Sequence, residues 1–252
     1  MFRKAIADKL ENDKSEFRFR GHEVRRIEAF SDAVFAFAVT LLIVSLEVPK
    51  NFEELMITMR GFFAFGVSFV LLMMIWYEQN IFFRRYGLDD LTTTVLNCTL
   101  IFLVLFYVYP LKFLFTLIFD SLIYGNDHSP LTMKVTDAVK LMVIYGIGYI
   151  FIYLLFSFMY IHALRKKILL QLTMAEIFDT KTKMYKNFIL IAIGILSIFI
   201  SFKVRADDAG IGGMVYILIG PALTVFYAYR KKKKYKLAIK HIPAQDPNNL
   251  NL

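Results

Sequence analysis

Long apolar runs separated by short polar stretches set the plan of this chain. Runs with few charges recur at about 27–47, 61–83, 91–119, 136–163, 187–204 and 211–229. A helix rises 1.5 Å per residue, so runs of this length suit a hydrocarbon core of about 30 Å. Polar punctuation lies between them. Pro49 with Glu53 and Glu54 follows the first run, and a tight turn around Gly87 ending in Asp89 and Asp90 follows the second. DSLIYGNDHSPLTMK separates the third from the fourth, a Lys/Arg-rich connection at about 164–186 leads to the fifth, and KVRADDAGIGG precedes the sixth. Pro110 lies inside the third run, where the missing backbone donor predicts a kink. The pattern predicts an all-α integral membrane protein with six transmembrane helices.

Composition agrees. Of 252 residues, 58% are hydrophobic and only 20% charged, with 26 Phe, less charge than a soluble domain of this length carries. The single cysteine, Cys98, excludes a disulfide framework or a cysteine metal site within one chain. Residues 1–26 hold eight Lys/Arg against five acids and no apolar run, which reads as a cytoplasmic segment rather than a signal peptide. Counting Lys and Arg by side of the six spans gives 23 against five, so both termini are expected in the cytoplasm. The chain therefore divides into an N-terminal segment (1–26), a membrane domain (27–229) and a basic cytoplasmic tail (230–252). Topology accounts for most of the net charge of +9, so nucleic acid need not be invoked. The tail also suits anionic lipid.

Enzyme chemistry finds little support. His22, His128, His162 and His241 are scattered, and neither a nucleophile elbow nor a phosphate-binding loop occurs. Gly146-Ile147-Gly148 sits within an apolar run, where small residues serve close helix packing. The filter sequence TVGYG of familiar potassium channels is absent. A pore in this chain would need side chains of whole helices, contributed by several subunits around one axis.

The first span is the candidate for that role. Phe37, Leu41, Val44 and Val48 fall at i, i+4, i+7 and i+11, one helical stripe, with the Thr40 hydroxyl beside it. Ordinary core packing gives the same pattern. Asp32 is costly at membrane depth and Glu28, four residues before it, repels it. It needs a partner from elsewhere: an arginine of another helix or subunit, Asn80, or the indole N–H of Trp76. Two other classes of function stay open at this point. One is a proton-coupled or cation secondary transporter using Asp32, Glu47 or Glu78, although a carrier usually shows paired broken helices. The other is a non-conducting assembly factor.

Arg26-Ile27-Glu28-Ala29-Phe30-Ser31-Asp32 matches R-x-x-x-F-S-D, and the continuation AVFAFAVTLL is similar to the same source, the transmembrane protein 175 family of lysosomal potassium channels and their prokaryotic relatives. Trp76, Asn97 and Pro110 also resemble that family's pattern, so the likeness covers the first three spans well and the later ones in number and length. Animal members carry two six-span repeats; this chain has one, as the prokaryotic members do. The resemblance implies a homotetramer in a prokaryotic cell membrane, with four copies of the first helix lining a central pore and no cofactor beyond permeant K+. By position it implies an apolar constriction at Phe37, Leu41 and Val44 and selectivity, with K+ nearby, at Thr40. It assigns Arg26, Phe30, Ser31 and Asp32, with Trp76, Asn80 and Asn97, to an inner-helix network. Phe37 is bulkier than the family's usual aliphatic, and Gln79 and Asn80 stand where the family often has histidine. Hydroxyl oxygens discriminate less sharply than a carbonyl cage, so a weak preference for potassium over sodium is expected.

Overall fold

A computed structural model describes residues 17–44, 50–124, 135–203 and 210–240. The expectations for residues 1–16, Glu47, Val48, the loop at 125–134, the turn at 204–209 and residues 241–252 lie outside the described residues.

All regular structure among the described residues is helical. Helices α1 (Arg26–Val44), α2 (Phe52–Tyr86), α3 (Leu91–Tyr124), α4 (Val135–Arg165) and α5 (Met174–Lys203) follow in order. A short α6 (Gly210–Met214) and a 3-10 turn (Val215–Leu218) then lead into α7 (Ile219–Lys240). Among the described residues, five stretches are long and apolar enough to cross a membrane: Gly61–Tyr86, Leu91–Leu117, Val139–Arg165, Met174–Lys203 and Gly212–Lys234. α1 has 19 residues, about 28 Å at the helical rise.

Several helices outrun their apolar runs. α3 is assigned as one helix through Pro110, the position of the expected kink. α5 starts at Met174 rather than near 187, because its first turns are a polar helix with its own partners. Thr173 and Glu176 form a capping box: Glu176 N–H donates to Thr173 Oγ1 (3.2 Å) and Thr173 N–H to Glu176 Oε2 (2.8 Å). Further along, the Tyr86 and Thr180 hydroxyls are hydrogen-bonded at 2.7 Å. α7 likewise runs on into the basic tract, where Arg230 is buried. Its Nε donates to Thr182 Oγ1 (2.9 Å) and its guanidinium lies 3.8 Å from the centre of the Phe178 ring.

α1 packs on α2 and α3, α3 on α4, α4 most extensively on α5, and α5 on α6 and α7. The main core joins Phe35, Ala38 and Leu42 of α1 to Leu72, Phe82 and Phe83 of α2, Leu100 and Val104 of α3, and Phe156 and Tyr160 of α4. The two α4 glycines allow close helix approaches. A Cβ at Gly146 would lie 2.5 Å from Ile198, and one at Gly148 would lie 2.3 Å from the Tyr107 ring. Gly87 takes φ +55, open to glycine at little cost, and turns the chain against Arg20.

Candidate functional site

α1 has two unlike faces. Ser31, Phe35, Ala38 and Leu42, at i, i+4, i+7 and i+11, are buried in the bundle. Positions two apart on a helix point about 200° apart. Phe37 is accordingly 57% exposed and Leu41 40%, with Phe30, Ala33 and Thr40 exposed on the same side. Val44 closes the helix; its side chain lies outside the described residues. Thr40 Oγ1 donates to the Phe37 carbonyl at 2.7 Å. Its one proton is used inside the helix, and its lone pairs remain for an acceptor role toward a cation.

The buried face is tied down by polar contacts. Ser31 Oγ donates to the Ile27 carbonyl (2.6 Å) and accepts from Asn97 Nδ2 (2.8 Å). Asn97 Oδ1 accepts in turn from Gln79 Nε2 (2.7 Å), so a chain of three buried side chains runs from α1 through α3 to α2. Trp76 Nε1 donates to Asp32 Oδ1 at 2.7 Å. Of the partners expected for Asp32, the indole is the one in place. The amide that joins the chain is Gln79, not Asn80. Gln79 shares the buried side of α2 with Leu72, Phe82 and Phe83, whereas Asn80, one position on, is rotated about 100° away and half-buried. Arg26 and Phe30 are exposed and line an open cavity of about 840 Å³ with Arg20, His22 and Arg25. At the far end of α1, Lys112 Nζ donates to the Leu42 carbonyl (3.0 Å). That places a cation on one of the last carbonyls of α1, which lack helical partners.

Sequence reasoning singled out Glu78 without its partners and missed the Arg20–Glu176 pair. Glu78, on α2, accepts from the Tyr160 hydroxyl of α4 (2.7 Å) and pairs with Lys186 (3.0 Å) and Lys183 (3.3 Å) of α5. Arg20, in the segment leading to α1, makes a two-toothed pair with Glu176, Nη1 to Oε1 at 2.9 Å and Nη2 to Oε2 at 2.8 Å. Beside these, Asp90 holds the turn between α2 and α3 through Thr93 Oγ1 (2.8 Å) and His162 Nε2 (2.8 Å), with Lys166 at 3.4 Å. Burial alone would raise the Asp90 pKa; the Thr93 hydroxyl, His162 and Lys166 outweigh it and hold it at about 2.

The contacts among α1, α2 and α3 coincide with the part of the chain that a family model recognises. The model described as the endosomal/lysosomal potassium channel TMEM175 matches residues 26–110. A protein described as a potassium channel from Marivirga tractuosa is 40% identical over 235 residues, 88% of this chain and 93% of that one. The chain belongs to the TMEM175 family of potassium channels. A potassium channel from Chamaesiphon minutus is 32% identical over 96 residues, 35% of this chain and 47% of that protein. Among solved structures, a variant of the potassium channel MtTMEM175, in complex with a nanobody–MBP fusion protein, superposes with a TM-score of 0.75 at 38% identity. That match covers 87% of this chain and 98% of the other. A lysosomal potassium-selective channel TMEM175 homologue from Chamaesiphon minutus matches over 81% of this chain and 96% of its own, with a TM-score of 0.53 at 21% identity, a likeness of fold alone. TMEM175 is a family of channels and not a class of enzymes, and helices of membrane-crossing length and apolarity fit that membership.

Proposed function

We propose that this TMEM175 member is a weakly selective potassium channel, a homotetramer whose four α1 helices line the pore. The observation that carries this reading is the outward face of α1. Phe37, Thr40 and Leu41 stand exposed on a helix whose opposite face is packed and hydrogen-bonded into its own bundle. An apolar stripe of that kind needs either lipid or copies of itself, and lipid gives no account of a hydroxyl placed among the apolar positions.

In this reading α1 is the first of six crossings, with both termini cytoplasmic, in the membrane of a prokaryotic cell. Rings of Phe37, Leu41 and Val44 form the constriction, which blocks ions by shedding water until it widens. Thr40 supplies oxygen lone pairs to passing K+ in place of a carbonyl filter. The network of Ser31, Asp32, Trp76, Gln79 and Asn97 fixes the rotation of α1 about its axis and so holds Phe37 toward the pore. Arg26 and Phe30 lie at the cytoplasmic mouth, where they meet the neighbouring subunit. Anionic lipid suits the exposed lysines of α7, Lys231 to Lys233. A carrier would need a carboxylate free to exchange a proton, whereas Asp32 and Glu78 are each engaged by partners on other helices.

Purified protein in liposomes, loaded with potassium against sodium, tests the proposal. Potassium flux that exceeds sodium flux severalfold, without saturation by substrate, is the expected result, with a tetramer by native mass spectrometry. Coupled, saturable exchange of protons for cations would overturn it.

A further inference from the structure

The connection between α4 and α5 has an architecture that conduction does not require. Residues 166–171 form successive tight turns, with Lys167 N–H donating to the Leu164 carbonyl (3.2 Å), Leu170 N–H to Lys166 (2.9 Å) and Gln171 N–H to Ile168 (3.0 Å). Two clamps hold them. Arg20 Nε donates to the Leu170 carbonyl at 2.7 Å, and Lys166 reaches Asp90 at 3.4 Å.

On this held turn, large aliphatics point into the open. Ile168 is 84% exposed and Leu169 73%, and Met174 follows at 77%. A clamped turn cannot fold such side chains back into the core, so their exposure is built in. Cations flank them. Arg165 and Lys167 are exposed, and no acidic residue occurs between Ala163 and Ala175. The turn also starts where one candidate membrane span ends, at Arg165. Adjacent aliphatics bracketed by long cationic side chains, at the end of a membrane span, suit the boundary between acyl chains and anionic headgroups.

We propose that residues 165–174 are a lipid anchor, with Ile168, Leu169 and Met174 entering the acyl boundary while Arg165 and Lys167 hold the phosphates of anionic lipids. Charge decides the occupant: a second copy of this turn would bring like charges together, whereas an anionic bilayer surface complements them.

The test is a depth measurement on the full chain in vesicles. A fluorescent label is attached to Ile168→Cys in a Cys98→Ser background, with Leu169→Cys as a second site. Two quenchers are compared, a nitroxide carried on a lipid headgroup and acrylamide in the water. The vesicles are phosphatidylcholine alone or mixed with phosphatidylglycerol. Expected is strong quenching by the lipid nitroxide and little by acrylamide. Lipid quenching should rise with phosphatidylglycerol, and Arg165→Gln with Lys167→Gln should abolish that rise. Free quenching by acrylamide, as for the dye in water, would overturn the anchor, and so would protection from both quenchers, which marks a protein cover. Conduction does not enter the readout, so the anchor can fail while potassium flux stands.

Discussion

The indole N–H of Trp76 points at Asp32 Oδ1 across 2.7 Å and joins α2 to a carboxylate exposed within a single chain. Hydrogen bonds to charged groups contribute roughly 1.5–3 kcal/mol, and exposure puts this one toward the low end. Trp76→Phe keeps a large ring and removes the donor. It should lower the thermal stability of the assembled protein by about 1–2 kcal/mol and shift its size-exclusion profile toward smaller species. An unchanged melting temperature and profile would remove the pair from a structural role.

Asn97 is fully buried and serves two partners at once, Ser31 and Gln79. Asn97→Ala strands the Gln79 amide and should cost about 1–3 kcal/mol, more than Ser31→Ala, whose loss leaves Asn97 one unpaired donor. Side chains in one network couple, so the double variant should fall short of the sum of the two. Thermal unfolding of the four-protein cycle measures it, and strict additivity would break the chain into independent contacts.

The all-helical fold and the five membrane-length stretches among the described residues were legible because a membrane demands a length and an apolarity that few other structures need. Asp32 announced that it had a partner because an unpaired carboxylate is too costly there, and Trp76 was among the few groups able to serve. The register of α2 was not legible. Gln79 and Asn80 are adjacent amides, and only packing decides which of them turns inward. The early start of α5 was partly legible: Thr173-Met-Ala-Glu176 is a capping box in plain view, and Glu176, Thr180, Lys183 and Asn187 continue at helical spacing. Lysines and threonines disguised that stripe as a loop, since their partners, Glu78, Tyr86 and Arg230, come from helices distant in sequence. Arg20 and Glu176 are 156 residues apart, and no local signal links them.

Asp90 gives the chain a pH signature. Its carboxyl sits at about 2 against an ordinary 3.8, so the stabilisation is present above the ordinary value and is lost as pH falls from about 4 toward 2. Partial exposure screens it, leaving about 1 kcal/mol. Asp90→Asn should therefore lower the melting temperature at pH 6, with the gap to the parent protein closing as pH falls from about 4 toward 2. A gap that stays constant down to pH 2 would show that the carboxylate's charge contributes nothing to stability.

Thr40 tests selectivity. Thr40→Val keeps the shape and removes the oxygen, and because the hydroxyl bonds only to the Phe37 carbonyl of its own helix, the fold should lose little. Assembly and melting temperature are expected to hold while the potassium-to-sodium permeability ratio drops severalfold, read as a shift in reversal potential under bi-ionic conditions. A constant ratio would take Thr40 out of the ion's path.

Phe35 and Phe37 make the sharpest comparison, because the same residue type occurs twice within one turn on opposite faces. Phe35 is 2% exposed and packs in the core with Ala38 and Leu42; Phe37 is 57% exposed. Truncating a buried phenyl ring leaves a cavity and costs about 3–5 kcal/mol, so Phe35→Ala should destabilise the bundle and reduce flux through loss of assembled protein. The cavity argument does not reach Phe37, whose ring is largely bare within its own chain. Four such rings facing one axis would form a tight apolar ring, and a small polar side chain in their place lets water stay. Phe37→Ser should then raise basal potassium flux in liposomes with thermal stability nearly kept. If Phe37 instead packs against a neighbouring subunit away from the axis, the same change weakens the tetramer without raising flux, and the constriction moves to Leu41 or Val44. Stability and flux, measured side by side on the two variants, separate core, interface and pore.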